Sequence, residues 1–170
     1  MKRAKHSVLP PITADRLREL LHYDPATGFF TWKKEPSSKT KIGARAGSAN
    51  SAGYGQIGLD GRMYRSNRLA VLYMTGQWPA GVVDHRNGDI RNDSWGNLRD
   101  VPSHVNQQNM RRARVDNSTG FLGVIRSGKR FMARIKDSGR LVNLGSFETP
   151  QEAHEVYLAE KRIRHAGCTI

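Results

Sequence analysis

The stretch VVDHRNGDIRNDSWGNLRDVPSHVNQQN, residues 82–109, decides the fold of the middle of this chain. It begins with an apolar run that ends in Asp84-His85, a pattern typical of a strand. A polar loop rich in Asn, Asp and Gly follows and leads to Asn97-Leu98-Arg99. The last part has the character of a short helix and carries Asn106 and Asn109. We therefore expect a strand, a polar loop and a short helix in that order.

The polar side chains of this stretch suit the hydrolysis of a phosphodiester. Such a reaction, when a metal assists it, needs a carboxylate for the hard cation, a base with a near-neutral pKa and a group that orients the base. Asp84, His85 and Asn97 can fill these three roles, and Asn106 can supply a second oxygen ligand. On Asp84 and an exposed His85 alone, an ordinary strand-end turn is an equally good interpretation.

At these positions the stretch resembles the HNH endonucleases, in the phage and intron-homing branch. That family has Asp-His at the end of the first strand of a hairpin, then Asn-Leu-Arg, then an Asn or His on the following helix. Asp84-His85, Asn97-Leu98-Arg99 and Asn106 match this order and spacing. The resemblance implies an α+β fold, with an HNH ββα-metal core at residues 66–110 after a helix and hairpin at residues 1–65.

Side-chain chemistry and the resemblance together suggest a mechanism. His85 takes a proton from a water aligned on the scissile phosphorus, and Asn97 orients the imidazole. Asp84 and Asn106 hold one divalent metal, Mg²⁺ or Mn²⁺, which also contacts the phosphate and the leaving 3′ oxygen. The motif offers one carboxylate, which favours one metal over two. Three further aspartates are interpreted as turn or cap residues: Asp89, Asp93 and Asp100.

The region before the motif predicts a helix and a short strand. Thr13 is a suitable N-cap, the stripe Leu17, Leu20 and Leu21 gives the helix one apolar face, and Asp24-Pro25 ends it. A turn and a short strand at residues 29–32 follow. Residues 33–52 are rich in Gly, Ser, Lys and Ala, and they fit a solvated linker and a DNA-backbone contact equally well.

A hairpin and a helix are expected next. Residues 53–59 and 62–65 flank Asp60-Gly61, a dipeptide typical of tight hairpin turns. Asn67 is a suitable N-cap for an apolar helix that ends near Gly76. This helix should pack as core beneath the Asp84-His85 strand.

After a basic linker at residues 111–119, residues 120–170 predict three strands and a helix. The strands are expected at 121–126, 130–136 and 140–145, with Gly-containing turns between them. In the middle strand, basic side chains and Met alternate with Phe131, Ala133 and Ile135. Thr149, Pro150 and Glu152 form a capping box that starts the helix. Four helix residues are expected to face the sheet: Ala153, Val156, Tyr157 and Ile163.

This last region resembles the DNA-binding domain of plant ethylene-response factors, the apetala-two type, over residues 118–167. In that family the three-stranded sheet enters the major groove and its arginines read bases, which implies a DNA-binding role here. Ile125 stands where the plant proteins commonly have arginine. The resemblance implies base contacts from Arg126, Arg134 and Lys136 and phosphate contacts from Arg130 and Arg140. A solvated basic face is the alternative. The linker arginines can also lie along phosphates: Arg111, Arg112 and Arg114.

Charge supports a polyanionic partner. The 170-residue chain has 28 Lys and Arg against 15 Asp and Glu, a formal net charge of +13. Residues 1–65 carry 12 basic and 5 acidic side chains, residues 110–170 carry 12 and 6, and residues 66–109 carry 4 of each. Basic arms that flank a neutral segment fit a DNA-binding enzyme better than a generally basic protein.

Cysteine use and hydropathy limit the class of protein. Cys168 is the single cysteine, which excludes a disulfide framework and any multi-cysteine structural zinc site. No apolar run approaches membrane-spanning length, and no signal-peptide core follows the basic Met1–Lys5. We therefore expect a soluble protein of the bacterial cytoplasm, encoded by a phage or by the host, with no membrane partner.

The sequence as a whole favours a metal-dependent endonuclease that acts on double-stranded DNA and is directed by its C-terminal domain. One active site per chain makes a nick by a monomer or weak dimer the natural expectation. The alternative from another class is a catalytically inactive, sequence-specific DNA-binding regulator. An RNA-binding protein is a third interpretation, which the lack of an aromatic run suited to base stacking disfavours.

Overall fold

A computed structural model describes residues 11–165 and 167–170. The predicted basic tail at residues 1–11 lies outside these residues except for Pro11. The chain divides into two compact units. The first runs up to His85 and takes in Asp89–Asp100, and the second comprises Arg86–Gly88 and everything from Val101 onward. The predicted α+β class is confirmed.

Both units combine helices with small sheets. The first contains α1 (Ala14–Leu20), β1 (Leu21–Tyr23), β2 (Phe30–Trp32), β3 (Ser48–Ala49), β4 (Gly55–Leu59), β5 (Arg62–Arg65), α2 (Ser66–Thr75), β6 (Val82–His85), a 3-10 turn (Trp95–Asn97) and most of β7 (Leu98–Val101). The second contains α3 (Ser103–Gln108), β8 (Val124–Ser127), β9 (Arg130–Asp137), β10 (Arg140–Phe147) and α4 (Pro150–Arg164).

Three small sheets surround the core of the first unit. Strand β1 pairs with β2, β3 and β5 flank β4, and β6 pairs with β7. Helix α2 supplies much of the buried apolar surface and packs beneath these strands, as expected. The core is aromatic as well as aliphatic, and its fully buried members include Leu17, Tyr23, Phe30, Ile57 and Leu69.

The start of α1 is confirmed and its predicted end is wrong. Thr13 is the N-cap, and its side chain accepts a hydrogen bond from the backbone N–H of Arg16. Leu21 does not continue the helix, because its backbone is extended and it pairs with Trp32 in the β1–β2 sheet. Leu21 is fully buried all the same, so the apolar pattern identified a core residue but assigned it to the wrong element.

Part of the segment expected to be a loop without core residues is integrated into the first unit. Arg45 forms a bridge with Thr31, and Ala46 is buried in the core. Strand β3 then adds to the edge of β4. Residues 33–43 fit the expectation of irregular chain, and residues 44–49 do not.

The hairpin is confirmed, whereas the role of Asn67 is corrected. Asp60 and Gly61 both have positive φ, 47° and 76°, as a tight hairpin turn requires. Helix α2 begins at Ser66, so Asn67 lies inside it and is no N-cap. Its buried side chain donates a hydrogen bond from Nδ2 to the carbonyl of Val83, 3.3 Å away, and thereby ties α2 to β6.

The three strands and helix of the second unit are confirmed, although the first strand begins at Val124, three residues later than predicted. The antiparallel sheet has the order β10-β9-β8, and Ala133 and Ile135 face the helix with 0% and 1% exposure. The capping box at Thr149 and Glu152 is present. Ile163, however, is 80% exposed, and Lys161 takes the inward position, since 153, 157 and 161 form the stripe that a helix places on one face.

None of the helices within residues 11–165 and 167–170 has both the length and the apolar character that crossing a bilayer requires.

Candidate active site

Strand β6 carries the two residues on which the sequence prediction centred. Asp84 and His85 stand at its C-terminal end and are 6% and 4% exposed. His85 is therefore not the exposed side chain of an ordinary strand-end turn. Buried polar groups need hydrogen-bond partners, because desolvation without compensation costs several kcal/mol, about 2 or more for each group. The partners of these two residues define the site.

Asp93 is the partner of His85. Nε2 of the imidazole lies 2.8 Å from Oδ1 of Asp93, and both side chains are buried. The other carboxylate oxygen of Asp93 accepts a hydrogen bond from the hydroxyl of Ser66, at the start of α2. The interpretation of Asp93 as a turn or cap residue is therefore wrong. This carboxylate is positioned between α2 and β6 and fixes the orientation of the imidazole.

The backbone of Asp93 is held as firmly as its side chain. The hydroxyl of Tyr23, on β1, donates to the carbonyl of Asp93 over 2.7 Å. Burial, and secondarily the negative charge of Asp93, raises the pKa of Tyr23 above its ordinary value, so the phenol stays protonated and remains a donor. Strand β1, helix α2 and strand β6 thus meet at one carboxylate.

Two glycines allow this close approach. A Cβ on Gly28 would lie 2.3 Å from the backbone carbon of Asp93, and one on Gly55 would lie 2.2 Å from the hydroxyl of Ser66. Gly28 also has a φ of +79°, in the region that favours glycine. The Asp-Pro-Ala-Thr-Gly turn before β2 is thereby coupled to the site.

The loop between β6 and β7 is closed by its own polar side chains. Asn97 donates from Nδ2 to the carbonyl of Asn92 over 2.7 Å. Asp89 accepts from the backbone N–H of Arg91 and is a turn residue, as predicted. Asp100 lies on β7, and its side chain caps the N–H groups of Ala80 and Gly81. The predicted contact of Asn97 with the imidazole stays a prediction.

Asp84 forms an ion pair with Arg99, on β7. Nε and Nη2 of the guanidinium lie 2.8 and 2.7 Å from Oδ2 of Asp84. A carboxylate has about four lone-pair positions, so one oxygen can be held by arginine while the group accepts further ligands. The third residue of the Asn-Leu-Arg motif thus orients the first residue of the Asp-His pair.

A cavity of about 390 Å³ lies beside Asp93 and Ser66. Ser66 and Asp93 form part of its wall, and Arg45, Arg91 and Phe29 form another part. The guanidinium of Arg45 stacks 3.6 Å above the ring of Phe29. Among residues 11–165 and 167–170, neither Arg45 nor Arg91 has a carboxylate partner, and both are exposed.

The other predicted site residues belong to the second unit. Asn106 is half-buried on α3, and its role as a metal ligand stays a prediction. Arg111 is engaged with backbone, since it donates to the carbonyls of Arg86 and Thr169. Arg112 is exposed, and exposed Arg114 pairs with Asp116. Their contacts with phosphates remain predictions as well.

The sheet of the second unit has one face turned away from α4, which we call the open face. The pairing register and the alternation along each strand assign nine side chains to it: Ile125, Ser127, Arg130, Met132, Arg134, Lys136, Leu141, Asn143 and Ser146.

The register separates the cations that were predicted to bind DNA. Arg130, Arg134 and Lys136 share the open face. Arg126 pairs with Phe131, on the side that packs against the helix, so it does not share the face of Arg134. Arg130 donates to the carbonyl of Ser146 over 3.0 Å, and Arg140 is exposed. Of the three cations on the open face, Arg130 is paired with Glu148, whereas Arg134 and Lys136 have no carboxylate partner among the described residues.

The donors near β6 fit a hard cation that keeps much of its own hydration. No group of three His, Cys, Asp or Glu side chains that could hold a metal occurs within the described part of the chain. Asp84 is an oriented carboxylate, and the residues of the motif offer oxygen donors, the type that Mg²⁺ prefers. Mg²⁺ commonly binds through one or two carboxylates and completes its shell with water and substrate phosphate.

Comparison with known proteins identifies the segment that contains Asp84, His85 and Asp93. A family model described as HNH endonuclease matches residues 64–108, from the end of β5 to the end of α3. The match includes Asp84, His85, Asp93, Asn97 and Asn106 and indicates a nuclease domain. Searches of curated proteins and of solved structures gave no match. The match ends before β8, so the apetala-two resemblance stays a prediction.

Proposed function

We propose that this chain is a metal-dependent DNA endonuclease of the HNH type, with His85 as the general base. One observation carries the proposal: within the segment that matches the nuclease family, His85 is buried and bonded through Nε2 to a carboxylate. A histidine held in this way has a fixed tautomer and a fixed ring plane, which general-base catalysis requires.

The proposed proton path follows from the hydrogen bond to Asp93. When Nε2–H donates to Asp93, the basic lone pair of the neutral imidazole is on Nδ1. Nδ1 takes the proton of a water aligned on the scissile phosphorus, and Asp93 stabilises the imidazolium that forms. With 4% of its surface exposed, His85 needs a local rearrangement on DNA binding before a phosphate reaches its ring.

Asp84 and Asn106 are the proposed metal ligands. Arg99 orients the Asp84 carboxylate, as groups that surround a metal ligand commonly do. A bound divalent cation supplies stabilisation of the charge that develops on the phosphate and on the leaving 3′ oxygen. The identity of this cation as Mg²⁺ or Mn²⁺ is part of the proposal.

Arg45 and Arg91 are proposed to hold the backbone of the substrate strand. Both line the cavity beside Asp93, and neither is neutralised by a carboxylate of the described chain. Guanidinium groups bind phosphate through paired hydrogen bonds, and the stack on Phe29 limits the conformations of Arg45. For residues 33–52 this proposal favours the DNA-backbone contact over the solvated linker.

The second unit is proposed to direct the enzyme to its site. Its open face carries Arg134 and Lys136, and Arg140 and the linker arginines add sequence-independent contacts with phosphates. Each chain has one proposed active site, at His85. We therefore expect a monomer to cut one strand and leave a nick.

A supercoiled-plasmid assay tests the function. Wild-type protein with Mg²⁺ or Mn²⁺ is compared with an EDTA control, with His85→Ala and with His22→Ala, a matched change of an exposed histidine on β1. We expect open circles from wild type and His22→Ala and none from His85→Ala or with EDTA. Linear product would indicate paired cuts. A protein that retards plasmid, phage and bacterial DNA but cuts none of them would support the inactive regulator instead.

A further inference from the structure

The open face of the second unit has an unusual composition for an exposed sheet surface. Its three cations lie on the central strand: Arg134 pairs with Asn143, Lys136 pairs with Leu141, and Arg130 lies 3.7 Å from the carboxylate of Glu148. No acidic side chain occupies any of its nine positions, all of which the structure describes. This face is therefore positively charged and complementary to a polyanion.

Large apolar side chains lie among these cations. Ile125, on β8, is 38% exposed and pairs with Met132, and Leu141, on β10, is 63% exposed. The neighbouring residues Val124 and Val142 face the helix and pack in the core. Packing of the core therefore explains apolar side chains at 124 and 142 but not at 125 and 141. Their exposure leaves apolar surface in water that a contact with a ligand would bury.

Arg134 and Lys136 indicate that the ligand is a polyanion. Ile125 and Leu141 indicate that this ligand also offers apolar groups for contact. Double-stranded DNA matches the charge, and its major groove admits β-strands. In that groove the base-pair edges present hydrogen-bonding groups and one apolar group, the 5-methyl of thymine. Uracil lacks this methyl, and G·C pairs present none.

We propose that Ile125 and Leu141 contact thymine methyl groups in the major groove, so that the open face selects sites that carry thymine at these contacts. This inference rests on the proposed DNA-binding role of the second unit and adds the base preference. Arg134 and Lys136, on the strand between the two apolar residues, supply hydrogen bonds to neighbouring base edges or phosphates.

The test compares duplexes that differ only in the methyl group. Full-length protein in EDTA is titrated with alternating poly(dA–dT) and poly(dA–dU), and binding is followed by competition against a labelled duplex. Since each buried methyl contributes about 0.8 kcal/mol, or roughly fourfold in affinity, we expect a preference for the thymine polymer of about fourfold for one methyl contact and up to about fifteenfold for two.

Two variants assign the preference to the residues. The double variant Ile125→Ser with Leu141→Ser should bind both polymers with the affinity of wild type for poly(dA–dU). Ile163→Ser is the matched control, because Ile163 is an exposed isoleucine of the same unit on α4, and it should keep the preference. Equal thermal unfolding of the three proteins checks that all are folded.

The outcomes separate this inference from the proposed function. Equal wild-type affinity for the two polymers, or a preference that survives in the double variant, overturns the inference while DNA binding stands. Failure to bind either polymer or any natural duplex overturns the DNA-binding role itself. Cutting is not measured in EDTA, so a protein without nuclease activity still gives a full answer on the base preference.

Discussion

His85 and Asp93 are eight residues apart in the chain, and the loop between them brings their side chains to 2.8 Å. The sequence identified Asp84 and His85, because they follow an apolar run and match a motif. It did not identify Asp93, since nothing local separates this aspartate from Asp89, which caps a turn in the same loop. The contacts of Asp93 with Ser66 and Tyr23 depend on chain folding over 27 and 70 residues.

Replacing Asp93 tests its effect on the base. We expect Asp93→Leu to lower the single-turnover rate of DNA cutting by roughly ten- to a hundredfold, because the imidazole loses the acceptor that sets its tautomer. DNA affinity should not change. Nitrogen NMR shifts of His85 should report a proton on Nε2 in wild type and a mixture of tautomers in the variant.

Asp116→Leu, which changes an exposed aspartate of the second unit, serves as the control and should cut at the wild-type rate. If folded Asp93→Leu cut DNA at the wild-type rate, the role of Asp93 would be structural and not catalytic.

Tyr23 provides a pH-dependent test of the same network. Tyr23→Phe removes the hydrogen bond to Asp93 and should lower the free energy of unfolding by about 1 kcal/mol between pH 7 and 9. The folded pKa of Tyr23 is raised, so the stability that the phenol contributes is fully present below the unfolded value near 10 and is lost as pH rises above it.

Urea unfolding of both proteins from pH 7 to 11 measures this effect. The difference between wild type and Tyr23→Phe should shrink above pH 10. A difference that stays constant over the whole range would show that burial of the Tyr23 phenol does not shift its pKa.

At the scale of elements, the turn before β2 and the loop before β7 form one structural contact. Gly28 and Gly43 have nearly the same φ, +79° and +82°, but only a Cβ on Gly28 would meet another atom within 4 Å. Gly43→Ala should therefore lower the free energy of unfolding only by the backbone strain, about 1 kcal/mol. Gly28→Ala should lower the free energy of unfolding by more than this. It should also slow DNA cutting, because it displaces the backbone of Asp93.

Thermal unfolding and a cutting assay on both variants measure this difference. Equal stability and equal activity of the two variants would show that the contact of Gly28 with Asp93 has no consequence for the site.

The elements themselves could largely be predicted where their signals are local. Caps and turns such as Thr13, Asp60-Gly61 and Thr149 were found because each acts within a few residues. Leu21 and Asn67 were assigned wrongly, since the pairing of Leu21 with β2 and the bond of Asn67 to β6 are tertiary interactions that override local preference. The inward position of Lys161 could have been found from its spacing of four from Tyr157.

At the scale of the whole molecule, charge and chemistry occupy different parts of the sequence. The excess of basic residues lies before residue 66 and after residue 109, whereas the segment with His85 is balanced. We therefore expect DNA affinity to fall steeply with salt and the cutting rate of bound DNA to change little.

Fluorescence anisotropy between 50 and 200 mM salt measures the affinity, and a loss of roughly a thousandfold is expected for about six or more phosphate contacts. Affinity that does not depend on salt would contradict the assignment of the basic regions to the DNA backbone.

The most direct test of the central claim is the single-turnover rate of DNA cutting by His85→Ala relative to wild type, with protein in excess over a cleavable duplex and Mg²⁺ present. General-base catalysis contributes roughly a hundred- to ten-thousandfold, so we expect a rate loss of that size with unchanged DNA affinity. A variant that binds and cuts at the wild-type rate would contradict it, because His85 could then not be the base.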